Sequence, residues 1–542
     1  MQLAPPALLA PWHPWHPLAP PGTFAPLAPK HPTHPTHPTH YNFGEEVAVN
    51  VRPAVVVLCG VFVLAWSAAA NARQTPTFTK DVAPILYKNC SQCHRPNEVA
   101  PMPLMTYEQA RPWARSIKSK VLKKEMPPWG VGRSTLKFSN DRQMTDQEIA
   151  TISKWVDAGA PKGNDADLPA PPSYPGGWKF NSEPDVVVKM PVEFKIEPRS
   201  EYPMLDFYVP VPWTDGMKLV QMSEARPSNK AVVHHITVSL VTFPPGTELI
   251  DGQPFTTDAS GKKVPLDRRS ARITEQRLPA ELQIPREPGE KPDRLSSVGG
   301  FTTLLAYVAG RGFDDHPDGV GTPILPGQYI NFNMHYTPTG RVEYDRSEVG
   351  FWFVKGEPKK FHFRTPINER QHVNGKIVRG DIPDAADVEA GRVSQGATAA
   401  NVSSFSGLPP IPPYMADFTV TSELKVTQDI TINGFYPHMH VRGKSAEYKV
   451  VYPDGSERLL FDVPRYRFDW QERYVVAEPL KIPMGSLLKY KGVFDNSAEN
   501  PLNPNPDKEV YWSEQSWDEM SLGWIEYTLD KQRLSRSASR EQ

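Results

Sequence analysis

From about residue 180 to residue 530, short apolar runs alternate with turn-forming residues along the chain. Runs such as "DVVVKM", "LDFYVPV", "KLVQM" and "VVHHITVSL" are separated by stretches rich in proline, glycine and asparagine. Short apolar runs bounded by turn signals are typical of antiparallel β-structure. The 60 prolines among the 542 residues point the same way, because proline interrupts helices. The pattern therefore predicts that most of the chain is all-β.

Between residue 74 and about residue 165 the apolar positions follow a helical period instead. One predicted helix starts at Thr106, where Gln109 completes a capping box, and another starts at Thr145 with Glu148. Their apolar faces comprise Ala110, Ala114, Ile117 and Val121 in one helix, and Ile149, Ile152, Trp155 and Val156 in the other. A short amphipathic segment precedes them. These residues are predicted to form a small all-α domain.

The motif "CSQCH" lies ahead of these two helices and contains Cys90, Cys93 and His94. In a C-x-x-C-H motif the two thiols can bind a haem covalently while the histidine reaches the iron. A redox C-x-x-C and half of a zinc site are the alternatives, but the chain has no second cysteine pair for zinc. The segment resembles a small cytochrome c, which implies one covalent haem c. Met126 is the preferred sixth ligand. Its rivals are Met102 and Met105.

The first 72 residues precede any predicted domain. Residues 1–50 form a Pro- and His-rich extension, predicted to be disordered, whose histidines could collect metal ions. Residues 51–72 have the features of a secretory signal peptide: Arg52, an apolar run from Ala54 to Trp66, and a cleavage site at Ala70-Asn71-Ala72. We therefore expect a periplasmic or secreted bacterial protein. An uncleaved signal anchor would be its only attachment to a membrane.

Charge and cysteine content narrow the classes of partner and fold. The formal net charge is -1, so charge gives no reason to expect a nucleic-acid partner. Of the three cysteines, Cys59 lies in the predicted signal peptide, and the other two are assigned to the haem. No disulfide framework is therefore expected, and the β-structure must be held by packing alone.

Five histidines of the predicted β-structure fall into three short motifs. They are the adjacent His234 and His235, the single His335 at the end of a predicted strand, and His438 and His440 at H-x-H spacing. Two histidines spaced H-x-H on a strand share one face, with Cα atoms about 6–7 Å apart, and can converge on one metal. Met520 follows in "SWDEMSL", and a thioether is a soft ligand that favours Cu(I). An isolated His-His pair would more commonly pack in a core.

The order of these motifs resembles that of the copper type II, ascorbate-dependent monooxygenases, which include peptidylglycine α-hydroxylating and dopamine β-monooxygenases. The resemblance covers about residues 180 to 530 and implies two packed antiparallel jelly-roll subdomains. It also implies two coppers, one that donates an electron and one that binds oxygen. The implied ligands are His234, His235 and His335 for the first copper, and His438, His440 and Met520 for the second. Adjacent histidines can share a metal if the strand bends there and they use different ring nitrogens.

The resemblance implies hydroxylation of a substrate C–H bond with O₂, in which the second oxygen atom leaves as water. The peptide-amidating members bind the carboxylate of their substrate with side chains at three positions. In this chain those positions hold Tyr436, Leu522 and Trp524, so we expect a small apolar or aromatic substrate instead. The tethered haem is expected to pass electrons to the first copper, replacing or supplementing ascorbate or another redox donor. The alternative function is a non-catalytic periplasmic copper and haem electron-transfer protein.

The predicted division of the chain follows from these assignments. It consists of the extension (1–50), the signal peptide (51–72), the haem domain (74–165), a linker (166–180), the first copper subdomain (181–370), a linker or lid (371–412) and the second copper subdomain (413–530). Histidines predicted at the surface or in turns are His316, His362 and His372. Tryptophans predicted in the core are Trp470, Trp512 and Trp517.

Overall fold

The computed structural model describes residues 75–96, 98, 100–174, 177–180, 182–200, 205–266, 302–308, 311–379, 410–511, 516–532 and 534. The predicted extension and signal peptide, most of the predicted lid, and Trp512 lie outside these ranges. Within the described ranges no helix is both long and apolar enough to cross a membrane. Strands far outnumber helices, which confirms the β-rich part of the predicted fold class.

The helical segment comprises residues 78–167 and opens with a π-helical turn at Phe78–Val82. Its helices are α1 (Ala83–Asn89), α2 (Tyr107–Ala110), α3 (Ala114–Leu122) and α4 (Asp146–Asp157), with 3-10 turns at Arg111–Trp113 and Asp165–Asp167. Both predicted capping boxes are confirmed, at Thr106 and Thr145. The long helix predicted from Thr106 is split into α2 and α3 at Pro112, which has no amide hydrogen to donate. The apolar faces meet in one buried cluster.

The first β-region (residues 186–361) builds one core from two main sheets. One sheet has the order β1 (Val186–Lys189), β14 (Glu348–Phe353), β4 (Lys218–Arg226), β11 (Val320–Ile324) and β15 (Lys360–Phe361), with β10 (Phe313–Asp315) also paired to β4. The other has the order β3 (Leu205–Pro210), β12 (Tyr329–Tyr336), β5 (Val233–Val241) and β9 (Thr302–Val308). Smaller sheets pair β2 (Phe194–Ile196) with β13 (Glu343–Asp345), and join β6 (Glu248–Ile250), β7 (Gln253–Thr257) and β8 (Lys263–Pro265).

The second β-region (residues 363–529) repeats this plan around its own core. One sheet has the order β16 (Phe363–Ile367), β25 (Leu522–Leu529), β20 (Ile430–His438) and β23 (Tyr474–Ile482). The other has the order β18 (Lys376–Arg379), β17 (Arg370–Val373), β19 (Phe418–Lys425), β24 (Leu487–Phe494), β21 (Gly443–Val451) and β22 (Glu457–Val463). The strands β16, β17 and β18 therefore pair within this region, although the sequence placed them in the first subdomain and in the linker.

Residues 129–140, which connect α3 to α4, pack onto the second β-region. Ser134 forms a β-bridge with Phe461, and Phe138 forms one with Val476. Phe138 is buried in the core cluster of the second β-region, and Arg133 forms an ion pair of 2.7 Å with Asp462. The helical segment is thereby fixed to the second β-region through its own backbone.

A buried group of charges joins the two β-regions. Arg311 and Asp314 come from the first region, and Arg364, Arg473 and Glu526 come from the second. Asp314 lies 2.6 Å from Arg311 and 2.9 Å from Arg364, and Glu526 lies 2.5 Å from Arg364 and 2.6 Å from Arg473. Removing one member of such a buried group would leave charge unpaired, at a cost of about 3–5 kcal/mol. The group fixes the two β-regions against each other.

His362 lies beside this charge group, and the prediction that it is a surface or turn residue is wrong. Its side chain is buried, stacks on His316 with ring centroids 3.8 Å apart, and lies 3.8 Å from Glu526. His316 is half-buried by the same stack. His372 lies on β17 and pairs with Glu423 at 3.2 Å.

Candidate metal centres

The three histidines of the triad site (His234, His235 and His335) come together on two neighbouring strands. β5 and β12 pair antiparallel, and His335 lies directly opposite His235. The next pair in the register joins Tyr336 to Val233, so His234 is the extra residue of a β-bulge. The bulge bends the strand where the two histidines are adjacent, and both can then turn toward one point. The bend predicted from the sequence is present.

The ring nitrogens of the triad site are arranged for a metal ion. One ligand atom of each histidine lies within 4.8 Å of those of the other two. The Nδ1 atoms of His234 and His235 are 3.2 Å apart, and Nδ1 of His335 is buried without a hydrogen-bond partner. Nitrogens at that spacing can each reach a metal at about 2.0 Å. The adjacent histidines approach each other through Nδ1, and the use of different ring nitrogens for a metal stays a prediction.

Burial keeps the imidazoles of the triad site neutral. Burial, together with the neighbouring His234, lowers the pKa of His335 to about 4. Burial also lowers the pKa of His234, and holds that of His235 well below its usual range. A neutral imidazole has a lone pair for a metal ion, whereas a protonated one has none. The site is therefore in its metal-binding protonation state at neutral pH.

His438 and His440 of the paired site (His438, His440 and Met520) lie at the end of β20 with ring centroids 5.2 Å apart. The Nδ1–H of His438 donates to Oε1 of Gln471 at 2.6 Å, and that oxygen also accepts from the Tyr436 hydroxyl at 2.9 Å. The Nδ1–H of His440 donates to the carbonyl of Asp518 at 3.2 Å. These bonds fix the tautomer of both rings, so that Nε2 carries the lone pair for a metal.

Glu519 holds the backbone of Met520 beside His440. Its carboxylate accepts the backbone N–H of His440 at 2.8 Å and that of Arg442 at 2.6 Å. Burial raises the pKa of Glu519 to about 8. Leu522, two residues beyond Met520, lies opposite His438 in the β20–β25 register. Met520 lies two residues before this pair, and its convergence with His438 and His440 stays a prediction.

The aromatic ring of Phe468 lies between the two sites. Its ring stacks on His234 with centroids 5.8 Å apart and meets the edge of His440 at 6.0 Å. The triad and paired sites also interact electrostatically, because the imidazoles of His438 and His440 contribute to the lowered pKa of His235. The two candidate sites are thus neighbours across a half-buried apolar gap.

The haem-attachment motif has two free thiols and an oriented histidine. Cys90 and Cys93 form no disulfide, and burial raises the pKa of Cys90 to about 12. The Nδ1–H of His94 donates to the carbonyl of Met102 at 3.0 Å, so Nε2 is the nitrogen that can bind iron. Met102 therefore orients His94. This arrangement fits a haem whose iron is bound by His94.

A cavity of about 520 Å³ lies between the helical segment and the second β-region. Met126, the preferred sixth ligand, lines it together with Met144 and Ile149. Its other wall includes Pro437, Trp470 and Tyr474 of the second β-region. Cys90, Cys93 and His94 are not among its lining residues, but Cys90 packs in the same apolar cluster as Met144 and Ile149.

Sequence reasoning identified the candidate ligands but missed the residues that orient them. Gln471, Phe468 and Glu519 belong to no recognisable motif, and only the position of Glu519 directly before Met520 gave a signal. The predicted core position of Trp517 is wrong, because its side chain is 46% exposed. Trp470 is half-buried.

Comparisons with known proteins add little to this geometry. No family model and no curated protein matches the sequence. Solved structures with some likeness include the VP2 subviral particle of infectious bursal disease virus (10% identity, 59% of this chain and 74% of that chain, TM-score 0.15) and PNGF-II (10% identity, 65% and 66%, TM-score 0.21). The CBM22 tandem of Paenibacillus barcinonensis Xyn10C is another (7% identity, 62% and 86%, TM-score 0.14). Such low scores support no conclusion about this chain.

Proposed function

We propose that the chain is a haem- and copper-dependent monooxygenase that hydroxylates a C–H bond of a small molecule with O₂. In this proposal the two β-regions are the jelly-roll subdomains of the copper type II, ascorbate-dependent family, and the helical segment is a cytochrome c. The protein would be exported to the periplasm or beyond, since the copper motifs follow a predicted signal peptide.

The buried, unpartnered Nδ1 of His335 supports this proposal most directly. A buried polar atom without a partner is costly, and one ring nitrogen of each of the three histidines lies within 4.8 Å of those of the other two. A metal ion would satisfy all three nitrogens at once. Imidazole suits copper, and the thioether of Met520 at the other site favours Cu(I).

The chain's own residues would perform three tasks around the metals. Copper, when bound, supplies one-electron redox chemistry and activation of O₂. Gln471 holds the His438 ring in the tautomer that offers Nε2, and Glu519 keeps the backbone of Met520 beside His440. Phe468 packs its ring against His234 and His440, between the two sites. Each contact would hold a ligand in place while electrons pass.

Residues around the paired site favour an apolar substrate. Leu522 and Trp524 are half-buried on β25, next to Met520, and the hydroxyl of Tyr436 already donates to Gln471. None of the three offers a positive charge for a carboxylate. We therefore retain a small apolar or aromatic molecule as the substrate class.

The haem would be held by the two cysteines and His94. Cys90 and Cys93 would form the thioethers, and His94 would bind iron through Nε2 because Met102 occupies Nδ1. Met126 is the proposed sixth ligand. Electrons would reach the coppers from this haem, with ascorbate or a redox protein as the external donor.

Metal analysis followed by oxygen consumption tests the proposal. The purified protein should contain two coppers and one haem iron per chain, and should consume O₂ when given ascorbate and a suitable apolar substrate. His440→Ala should abolish O₂ consumption, whereas His372→Ala, which removes a histidine outside both sites, should not. A protein that binds both metals but consumes no O₂ with any reductant would instead be an electron-transfer protein.

A further inference from the structure

The cavity beside Met126 has walls from only two parts of the molecule. Its described lining residues belong either to the stretch 121–149 of the helical segment or to the second β-region, and none belongs to the first β-region. The connection 129–140 closes it from one side, because that connection is bridged to β22 and β23. Whatever fills the cavity therefore contacts the second β-region directly.

Two buried polar atoms in the cavity wall have no hydrogen-bond partner. They are Nε1 of Trp129, from the helical side, and Oε2 of Glu472, from the second β-region. The other carboxylate oxygen of Glu472 pairs with Arg142 at 3.3 Å, and burial raises the pKa of Glu472. Buried groups of this kind are normally satisfied, so the cavity is built for an occupant that is itself partly polar.

A haem fits the apolar lining and the unpartnered indole N–H of this cavity. Its flat apolar body suits the lining by Met126, Met144 and Ile149, and its propionates are acceptors for the indole N–H of Trp129. Lys124, Arg465 and Arg467 also line the cavity and would offset the propionate charge. Cys90 packs in the same cluster as Met144 and Ile149, so the cysteine of the C-x-x-C-H motif lies close to the apolar wall of the cavity.

The wall from the second β-region leads directly to the paired site. Pro437 lines the cavity and is the residue before His438. Glu472 lines it too, and its neighbour Gln471 accepts the Nδ1–H bond of His438 at 2.6 Å. Two short covalent or hydrogen-bonded connections therefore join the cavity wall to one ligand.

The triad site has a weaker connection to the helical segment. The described ion pair between that segment and the first β-region joins Glu98 to Lys230, four residues before His234, at 3.0 Å. Its two side chains are 21% and 41% exposed, so solvent screens it. The described cavity has no lining residue from the first β-region, so it does not reach a triad ligand.

We infer that the haem lies in the cavity between the helical segment and the second β-region, and that the paired site is its direct electron acceptor. The inference rests on the proposed function and revises the sequence-based expectation that the triad copper receives the electron. In each transfer one electron leaves ferrous haem iron, which becomes ferric, and reduces one cupric ion of the paired site to cuprous; no bond forms or breaks. Hydroxylation consumes two electrons and two protons per O₂, so an external one-electron donor, ascorbate or a redox protein, must reduce the haem again.

The position of the haem is tested by its midpoint potential. Trp129→Phe keeps an aromatic ring but removes the N–H, which would leave a propionate less stabilised and should lower the potential. Trp113→Phe is the matched control, since Trp113 is a 43% exposed tryptophan of the same segment outside the cavity. If Trp129→Phe leaves the potential as unchanged as the control does, the haem does not occupy this cavity. Thermal unfolding of both variants checks that each is folded.

The electron acceptor is tested by mixing reduced, copper-free protein anaerobically with stoichiometric Cu(II) and recording haem oxidation optically. His335→Ala keeps the paired site and should oxidise its haem as fast as the unmodified protein. His440→Ala keeps the triad site and should oxidise its haem at least about tenfold more slowly, a barrier difference of about 1.4 kcal/mol. His372→Ala controls for oxidation by adventitiously bound copper.

The outcomes separate this inference from the proposed function. Equal rates in the two variants, or slow oxidation in His335→Ala only, overturn the inference while leaving a two-copper oxygenase intact. If the unmodified protein binds no copper, the proposed function fails and the acceptor assignment fails with it. The potential of the Trp129→Phe variant would still decide where the haem lies.

Discussion

The triad site and the paired site differ in the hydrogen bonding of their imidazole Nδ1 atoms. In the triad site the Nδ1 atoms of His234 and His235 approach each other at 3.2 Å, and that of His335 has no protein partner. In the paired site Nδ1 of both histidines donates to a protein oxygen, so Nε2 is left for a metal. The first site is therefore shaped by the backbone, through a β-bulge, and the second by hydrogen bonds from residues around it.

This difference affects how each site should respond to change. A site formed by a bulge on two paired strands is weakened mainly by removing a ligand or by disturbing the strands themselves. A site held by hydrogen bonds can be loosened by changing a residue that never touches the metal.

Removing one ligand from either site should have the largest effect on copper content, and loss of copper from one site should leave the other site occupied. His335→Ala should lose one of two bound coppers, and His440→Ala should lose the other, because each leaves two protein ligands at one site only. Metal content and the electron paramagnetic resonance spectrum of the remaining Cu(II) measure this. Loss of both coppers from either variant would show that the two sites bind copper as one cooperative unit and not independently.

Acid should destabilise the copper-free protein through the triad site. The pKa of His335 is near 6.5 in the unfolded chain but about 4 in the fold, so the unfolded state binds more protons between these values. The free energy of unfolding should therefore fall as the pH is lowered from 6.5 to 4, by about 3 kcal/mol from this residue. Urea unfolding across that range measures it.

His335→Asn is the control for the acid effect. Asparagine cannot titrate, so this variant should show a smaller loss between pH 6.5 and pH 4 than the unmodified chain. An identical loss in both proteins would assign the acid sensitivity to other groups.

Sequence reasoning was most successful where a local pattern carries the information. The capping boxes at Thr106 and Thr145, the β-rich character beyond residue 180 and the meeting of His234, His235 and His335 are local or motif-based features, and the structure confirms them. The split between α2 and α3 was missed, although Pro112 lies between them.

Long-range contacts were not predictable in the same way. His362 gave no sign of burial, because its place against Glu526 depends on strands 164 residues apart in the chain being paired. Gln471 and Phe468 lie in a connection without a motif, and only the fold brings them to His438 and His234. The packing of residues 129–140 onto the second β-region likewise depends on tertiary structure.

Gln471→Leu should weaken copper binding at the paired site without changing the triad site. Leucine fills a similar volume but cannot accept the Nδ1–H of His438, so the ring loses its fixed tautomer. A loss of roughly 10–100-fold in affinity is expected for an outer hydrogen-bond partner of this kind. Gln221→Leu, a half-buried glutamine on β4, is the matched control. Equal weakening of copper binding at both sites in a copper titration would show that Gln471 does not act on the paired site alone.

Phe468→Leu should reduce copper affinity least, and it should reduce it at both sites. The phenyl ring contacts His234 on one side and His440 on the other, so a smaller side chain loosens both imidazoles at once. Since Phe468 is only half-buried, the cost in unfolding free energy should be about 1 kcal/mol. Calorimetric copper titration should show a similar, modest loss of affinity for both metals, because the residue belongs to the gap and to neither ligand set. A loss confined to one site would mean that the ring supports that site alone, and that the two sites are less closely coupled than their shared neighbour implies.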